Sequence, residues 1–307
     1  MSRRIAVTGA SGFIGRHLTA YLAGRGDEVV AVRRPFEPAA LRDALAGADA
    51  VIHLAGVVWA LREEEYFTAN VDGTRRVATA ARDAGIPLID ISSLAAAGPA
   101  PHRTPRAEDD PPAPVTAYGR SKLEGEQAIA AIDGLRWTTL RPGGVYGPGD
   151  RALLPVFRLA ARGVLPLIGG GEAAYTFIHV ADLVRMIAAA ADAPSASETF
   201  FAGHHQPVTM RALLEGIREA MGVRASIVPI PLAVSRLAAF AGDAAGAIFG
   251  VHAVINSSRY AELAAAGFVC RVDRIRDRLG VAAEIGLREG LADTCAWYRR
   301  EGWLSQG

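Results

Sequence analysis

Tyr118 and Lys122 stand four residues apart in the run Tyr118-Gly119-Arg120-Ser121-Lys122. On a helix starting near Ala117, that spacing places phenol and ammonium one turn apart on the same face. A free phenol, with a pKa of about 10, is a poor acid-base catalyst at neutral pH, and a neighbouring ammonium stabilises its phenolate. Ser92 or Ser93, at the end of the apolar run Leu88–Ile91, supplies a hydroxyl to hold a reacting oxygen. The same Tyr/Lys spacing also occurs in solvated surface pairs. Its meaning here depends on what surrounds it.

A second constellation lies near the N-terminus. Gly9-Ala10-Ser11-Gly12-Phe13-Ile14-Gly15 follows the strand-like run Ile5–Thr8 and opens a stretch of helical period. Gly9 permits a tight turn, Gly12 lets backbone approach a pyrophosphate, and Gly15 lets helix and strand pack closely. The helix N-terminus presents unpaired N–H groups to phosphates. In this context of strand, turn and helix, the glycines point to a nicotinamide dinucleotide held by residues 9 and 11–15. After the next strand, where an NAD site would place Asp or Glu on the ribose 2′-hydroxyl, the sequence reads Val32-Arg33-Arg34. Two guanidiniums suit a 2′-phosphate, which favours NADP over NAD.

Positioning these groups requires a layered scaffold. Short β-branched runs (Ile5–Thr8, Glu28–Val32, Ala50–Leu54, Leu88–Ile91, Trp137–Leu140) alternate with helical stretches (Phe13–Ala23, Leu41–Leu45, Phe67–Ala84, Ala117–Ala131). The alternation predicts an α/β protein with a Rossmann doubly wound parallel sheet. A smaller, mostly helical C-terminal substrate-binding region follows, with a strand near Thr199–Ala202 and helices near Met210–Met221, Leu232–Phe240, Ser257–Ala265 and Leu287–Arg299. Residues 1–155 and 177–203 are expected to form the dinucleotide-binding domain, and 156–176 with 204–307 the substrate side. Pro99–Pro114 reads as an exposed loop.

Composition narrows the function. A net charge of +1 provides no field for nucleic acid, so a small-molecule substrate is expected. Cys270 and Cys295 lack CxxC spacing and a His cluster, which argues against a disulfide framework or a metal site and fits a reducing cytoplasm. The apolar stretch Leu232–Ile255 is interrupted by Arg236, Asp243 and His252, so stable membrane insertion is not expected. The run Ile5–Thr8 is too short for a signal peptide.

The chain resembles the extended short-chain dehydrogenases/reductases, also called the NAD-dependent epimerase/dehydratase family. The resemblance runs through Thr8–Gly15, Val51-Ile52-His53-Leu54-Ala55-Gly56, Asn70-Val71-Asp72-Gly73-Thr74, Ser92-Ser93, Tyr118–Lys122, Arg141–Asp150 and Phe177–Asp182. It implies that Tyr118 is the catalytic acid or base, and that Lys122 binds the nicotinamide ribose and lowers the tyrosine pKa. Ser93 orients the substrate oxygen, with Ser92 as the close alternative for that role and as a cofactor contact. Pro142, Gly144 and Val145 would line the nicotinamide face, Leu54, Ala55 and Gly56 would pass under the cofactor, and Asn70 would tie strands and cofactor together. Family members often dimerise through the helices corresponding to 67–84 and 117–131. His53 and His179 read as structural histidines, Asp182 as a helix N-terminal carboxylate.

Two departures matter. Where the family has a third strand, only Pro35-Phe36-Glu37-Pro38 separates Arg34 from the next helix, so a sheet short of that edge strand and a more open adenine pocket are expected. Nucleotide-sugar enzymes carry a diphosphate-gripping arginine before the Phe177 motif, and Ala173-Ala174-Tyr175-Thr176 contains none. Val57, Trp59, Leu94 and Tyr175 are the candidate substrate contacts, and mostly apolar walls suit an uncharged, hydrophobic substrate. The resemblance is nearest the hydroxysteroid/sterol dehydrogenase and dihydroflavonol reductase branch. The expected function is NAD(P)-dependent interconversion of a secondary alcohol and a ketone or aldehyde. A nucleotide-sugar epimerase or dehydratase is the alternative, and a cofactor-sensing regulatory protein a further one.

Overall fold

The computed structural model describes residues 2–193, 197–249 and 257–305. Ile5, Ala6, Val7 and Thr8 are all buried, and a run buried on both faces is what a central parallel strand requires. This is β1 (Arg4–Thr8), followed by α1 (Phe13–Gly24), β2 (Glu28–Val32), α2 (Pro38–Leu45) and β3 (Ala50–His53). A short α3 (Glu63–Phe67) passes through a π-turn at Thr68–Asp72 into α4 (Gly73–Ala84). Then come β4 (Leu88–Ile91), the one-turn α5 (Leu94–Ala97), α6 (Ala117–Ala130) and β5 (Trp137–Pro142).

The second half adds β6 (Gly144–Tyr146), α7 (Leu154–Ala161), β7 (Val164–Ile168), β8 (Ala174–Tyr175), β9 (Phe177–His179), α8 (Val180–Asp192) and β10 (Glu198–Ala202). It ends with β11 (Val208–Thr209), α9 (Met210–Met221), β12 (Ser226–Ile230), α10 (Leu232–Phe249), α11 (Ser257–Ala264), β13 (Gly267–Phe268), α12 (Asp273–Leu279) and α13 (Leu287–Arg300).

The main sheet is parallel, in the order β10-β5-β4-β3-β1-β2. Its direction of growth reverses between β1 and β3, and the crevice at their carboxyl ends is where such sheets bind ligands. Among the described residues no strand lies beyond β2, as expected, and β2 is an edge. Phe36 closes the shortened connection. Its ring is buried and meets His53 edge-on at 5.9 Å between centroids.

Alternation along the strands feeds two cores. Ile5, Val7, Ile52 and Ile89 pack against Leu18 and Leu22 of α1 and Leu183 and Ile187 of α8. Ala6, Val51 and Leu88 face Leu41 and Leu45 of α2, Val77 and Ala81 of α4 and Ile129 of α6. A third core gathers Phe157, Leu213, Ile217, Leu291 and Tyr298. Position 204 is not a clean boundary, because Ile275 of α12 and Ala283 join the sheet core. The C-terminal region is mostly helical, as expected. It carries β12-β7 and β11-β8-β13, and β6 pairs with β9. Of the apolar stretch Leu232–Ile255, residues 250–255 lie outside the described residues. Among those described, no helix is long and apolar enough to cross a membrane.

A Cβ on Gly15 would lie 2.1 Å from the Gly9 carbonyl oxygen, whereas one on Gly24 would meet nothing within 4 Å. Gly15→Ala is therefore expected to lower the thermal melting point sharply and abolish cofactor binding. Gly24→Ala should be neutral or stabilise by up to about 1 kcal/mol. Melting curves and cofactor titrations of the two variants check this.

Candidate active site

Helix α6 starts at a cap in which Thr116 Oγ1 accepts from Gly119 N at 3.1 Å. Two glycines let it press on its neighbours. A Cβ on Gly119 would lie 2.5 Å from the Ala95 carbonyl oxygen of α5, and one on Gly125 would lie 2.4 Å from that of Asn70 in the π-turn. Asn70 works as a clamp. Its Oδ1 accepts from Val57 N (2.8 Å), and its Nδ2 donates to Val57 O (3.0 Å) and Ser121 Oγ (2.9 Å). The loop after β3 is thereby fixed to α6. Lower on the same helix face, Glu126 accepts from Ser92 Oγ and, twice, from Arg141 Nε at 3.0 and 3.2 Å.

The two serines are thus divided between two tasks. Ser93 Oγ accepts from Ala95 N at 3.2 Å and hydrogen-bonds the Tyr118 phenol. Ser92 is buried, and its hydroxyl is committed to Glu126. Burial pushes the phenol of Tyr118 up to about 12 against the Ser93 hydrogen bond, with the carboxylates of Glu262 and Asp90 pushing the same way. Lys122 is buried, and its ammonium donates to the Ile91 carbonyl at 2.8 Å. Tyr66 flanks the pair, 6.2 Å from the Tyr118 ring, and its hydroxyl accepts from Ala60 N at 3.1 Å.

The glycine turn has the form a dinucleotide needs. Gly9 has φ +71, and a Cβ there would lie 2.8 Å from Ala55 N. This seats the turn directly on the Leu54-Ala55-Gly56 segment. Gly12 N donates to Gly9 O at 2.9 Å, and no side chain caps the first turn of α1, so the N–H groups of Phe13 and Ile14 remain available to a diphosphate. Ser11 and Gly12 are exposed, while Phe13 and Ile14 are half-buried. At the adenosine end, Arg34 donates to Gly56 O at 3.2 Å and Arg33 is exposed. Beside them opens a cleft of about 600 Å³ flanked by Arg34, Phe36, Val57 and Arg76. Pro142 is buried at the end of β5, with Gly144 exposed and Val145 half-buried beyond it.

Of the candidate substrate contacts, Val57 is half-buried and Trp59 exposed on the loop after β3. Tyr175 stacks on Phe268, at 15° between ring planes. Leu94 departs from expectation. Its side chain is only 3% exposed, packed with Ala97, Phe201 and Cys270, and so is not free to line a pocket. His53 is a satisfied structural residue, bonded to Thr8 Oγ1 (2.7 Å) and Thr74 Oγ1 (3.1 Å). His179 caps α8, accepting from Ala181 N, and Asp182 accepts from Glu284 N and Ile285 N. Among the described residues no group of His, Cys, Asp or Glu could hold a metal.

Sequence reasoning missed Phe36, Asp90 and Glu126. Glu126 carried a signal, since Tyr118, Lys122 and Glu126 are spaced by four and share one face.

A parallel sheet with a glycine turn at its switch point, and a Ser/Tyr/Lys group beside it, define a nicotinamide-dependent oxidoreductase. The model of the NAD dependent epimerase/dehydratase family matches residues 5–203, and the chain belongs to that family. The ceramide reductase of Caulobacter vibrioides is 31% identical over 321 residues, covering 98% of this chain and 96% of the relative. The 4-hydroxy-2-methyl-3-oxo-4-farnesyl-3,4-dihydroquinoline-1-oxide ketoreductase of Stigmatella aurantiaca is 29% identical, covering 94% of each chain. Among solved structures, MoeE5 in complex with UDP-glucose and NAD superposes with a TM-score of 0.77 at 29% identity, over 97% of this chain and 99% of that one.

Burial lowers the His53 pKa from 6.5 to about 3. The stability gained by keeping the ring neutral is complete above pH 6.5. It drains as the pH falls from 6.5 toward 3, because the unfolded chain takes up the proton first. In denaturant melts across that range, His53→Asn is expected to flatten the fall in stability whatever its effect at neutral pH.

Proposed function

We propose that this protein reduces a ketone or aldehyde on a lipophilic molecule to the alcohol, with NADPH preferred over NADH. The observation carrying this reading is the grouping of Ser93, Tyr118 and Lys122 where α6 meets the end of β4, with burial keeping the phenol protonated at neutral pH. A protonated phenol is equipped to give a proton to a developing alkoxide, whereas oxidation requires it to take one. The bound nicotinamide supplies hydride at its C4 position.

The chain's own residues do the rest. Ser93 Oγ already accepts from Ala95 N, so its O–H is left to donate to the carbonyl oxygen. Tyr118 transfers its proton to that same oxygen. Lys122, anchored on Ile91 O, has further N–H donors for the nicotinamide ribose. Arg34, which lines the cleft after β2, and the exposed Arg33 would receive a 2′-phosphate.

A lipophilic substrate is supported by the exposed Val58, Trp59 and Leu61 after β3 and by the absence of an arginine in residues 173–176. The printed names of the two curated relatives, reductases of ceramide and of a farnesyl-bearing molecule, point the same way. The likeness to MoeE5, solved with UDP-glucose and NAD, together with the epimerase/dehydratase family model, favours a second reading, sugar-nucleotide epimerisation. Isomerisation without net cofactor change would identify that reading.

Tyr118→Phe is expected to cut turnover by about 10²–10⁴-fold while cofactor binding is retained. Unchanged reduction of a long-chain ketone would overturn the assignment. Arg34→Ala should weaken NADPH about tenfold more than NADH in equilibrium titrations.

A further inference from the structure

The loop between β3 and α3 passes along the reactive end of α6. At its start, a Cβ on Gly56 would lie 4.0 Å from the Lys122 ammonium nitrogen. At its far end, Glu63 accepts from the Arg120 guanidinium of α6 at 2.7 Å. The ring of Tyr66, the buried residue of α3, stands 6.2 Å from that of Tyr118. Residues 57–61 therefore border the Tyr118/Lys122 pair.

What this loop turns outward is apolar. Val58, Trp59 and Leu61 are 56, 48 and 49% exposed. Large apolar side chains scattered singly over a surface are ordinary. Three within four residues, next to a reactive pair, mark a place where an apolar ligand packs.

The main chain does little to hold these side chains in place. Among the described residues, Val57, Val58, Trp59 and Ala60 make no backbone–backbone hydrogen bond. Two side chains substitute. Asn70 takes both polar groups of Val57, and Tyr66 takes the stretch that follows. The Tyr66 hydroxyl accepts from Ala60 N at 3.1 Å and donates to Val58 O at 3.4 Å, so it brackets Trp59. The ion pair between Glu63 and Arg120 is exposed on both sides and adds little. Beyond Val57, the Tyr66 hydroxyl is thus the main restraint on the loop.

We propose, on the reading of the protein as a reductase of lipophilic ketones, that Tyr66 is a positioning residue that sets the substrate class. By bracketing Trp59 it holds Val58, Trp59 and Leu61 as an apolar wall. The hydrocarbon part of the ketone packs on that wall while its carbonyl meets Ser93 and Tyr118. A loosened loop has to be ordered again each time substrate binds, and the lost entropy weakens binding. That loss falls most heavily on ketones long enough to reach the wall.

The test follows reduction of 2-butanone and 2-decanone by NADPH in wild type, Tyr66→Phe and Trp59→Ala. Tyr66→Phe keeps the ring beside Tyr118 and removes only the hydroxyl. In both variants the ratio of kcat/KM for 2-decanone over 2-butanone is expected to fall about tenfold, through KM more than through kcat. In Tyr66→Phe with NADP+ bound, the acrylamide quenching constant of Trp59, assigned by difference against Trp59→Phe, should rise. An unmoved ratio in Trp59→Ala overturns the proposal even if Tyr66→Phe does not fold. So does a folded Tyr66→Phe in which either the ratio or the quenching stays at the wild-type value. A wild type with no preference for 2-decanone would instead overturn the reading of a lipophilic substrate, while raised quenching in Tyr66→Phe would still show that the hydroxyl holds the loop.

Discussion

Helix α6 meets its neighbours backbone to backbone, and the reactive geometry depends on that contact. Helices that pack through side chains stand about 8–10 Å apart. At Gly119 and Gly125 there is no side chain to hold α6 off Ala95 and Asn70. The close approach lets the Tyr118 hydroxyl reach Ser93 at the end of β4, and lets the Lys122 stem cross to Ile91 O. A methyl group at either glycine would have to displace main chain. The π-turn at Thr68–Asp72 belongs to the same constraint, since such turns interrupt the regular ladder locally. Here the turn presents the Asn70 side chain to Val57 and Ser121 and the Asn70 carbonyl to Gly125.

On that face of α6 the charges are layered. Tyr118 comes first, then Lys122, then Glu126; all three meet the end of β4, and Glu126 also reaches Arg141 of β5. Buried ion pairs contribute little net stability, because desolvation offsets attraction. What they contribute here is registration. The Glu126 carboxylate is held by Arg141 of β5 and by Ser92 just after β4, so sliding α6 along the sheet by one turn would break several buried bonds at once. The cradle for the phosphates, by contrast, is built from backbone alone and needs no buried charge.

The features legible in the sequence were those set by local spacing. The glycine turn between strand and helix, and the four-residue interval from Tyr118 to Lys122, are readable because three or four residues determine them. The shortened connection after Arg34 was readable from length. The features that escaped depend on pairing between distant segments. Leu94 looked like a pocket wall because it follows Ser93, yet the C-terminal Cys270 and Phe268 come back to cover it. Asp90 and Glu126 have the composition of surface carboxylates, and only the strand register and the helix contact bury them. Ile275 could not be assigned to the sheet core without knowing where α12 lands. The choice between Ser92 and Ser93 was more accessible than it looked. Strand alternation puts position 92 on the side of Leu88 and Asp90, facing α6 and Glu126, which leaves Ser93 for the phenol.

The missing edge strand shows how separable the two ends of the dinucleotide site are. The phosphate cradle depends on β1, the start of α1 and the Leu54–Gly56 segment, and all three lie at the β1/β3 switch point inside the sheet. Removing a strand beyond β2 leaves that point untouched. What changes is the outer wall. Phe36 turns inward onto His53, and Arg34 reaches from the β2 end to Gly56 O. The adenosine end is therefore shaped by side chains of the loop rather than by sheet. Side chains can exchange a carboxylate for a guanidinium without disturbing the core, so the residues after β2 can vary while the glycine turn stays fixed.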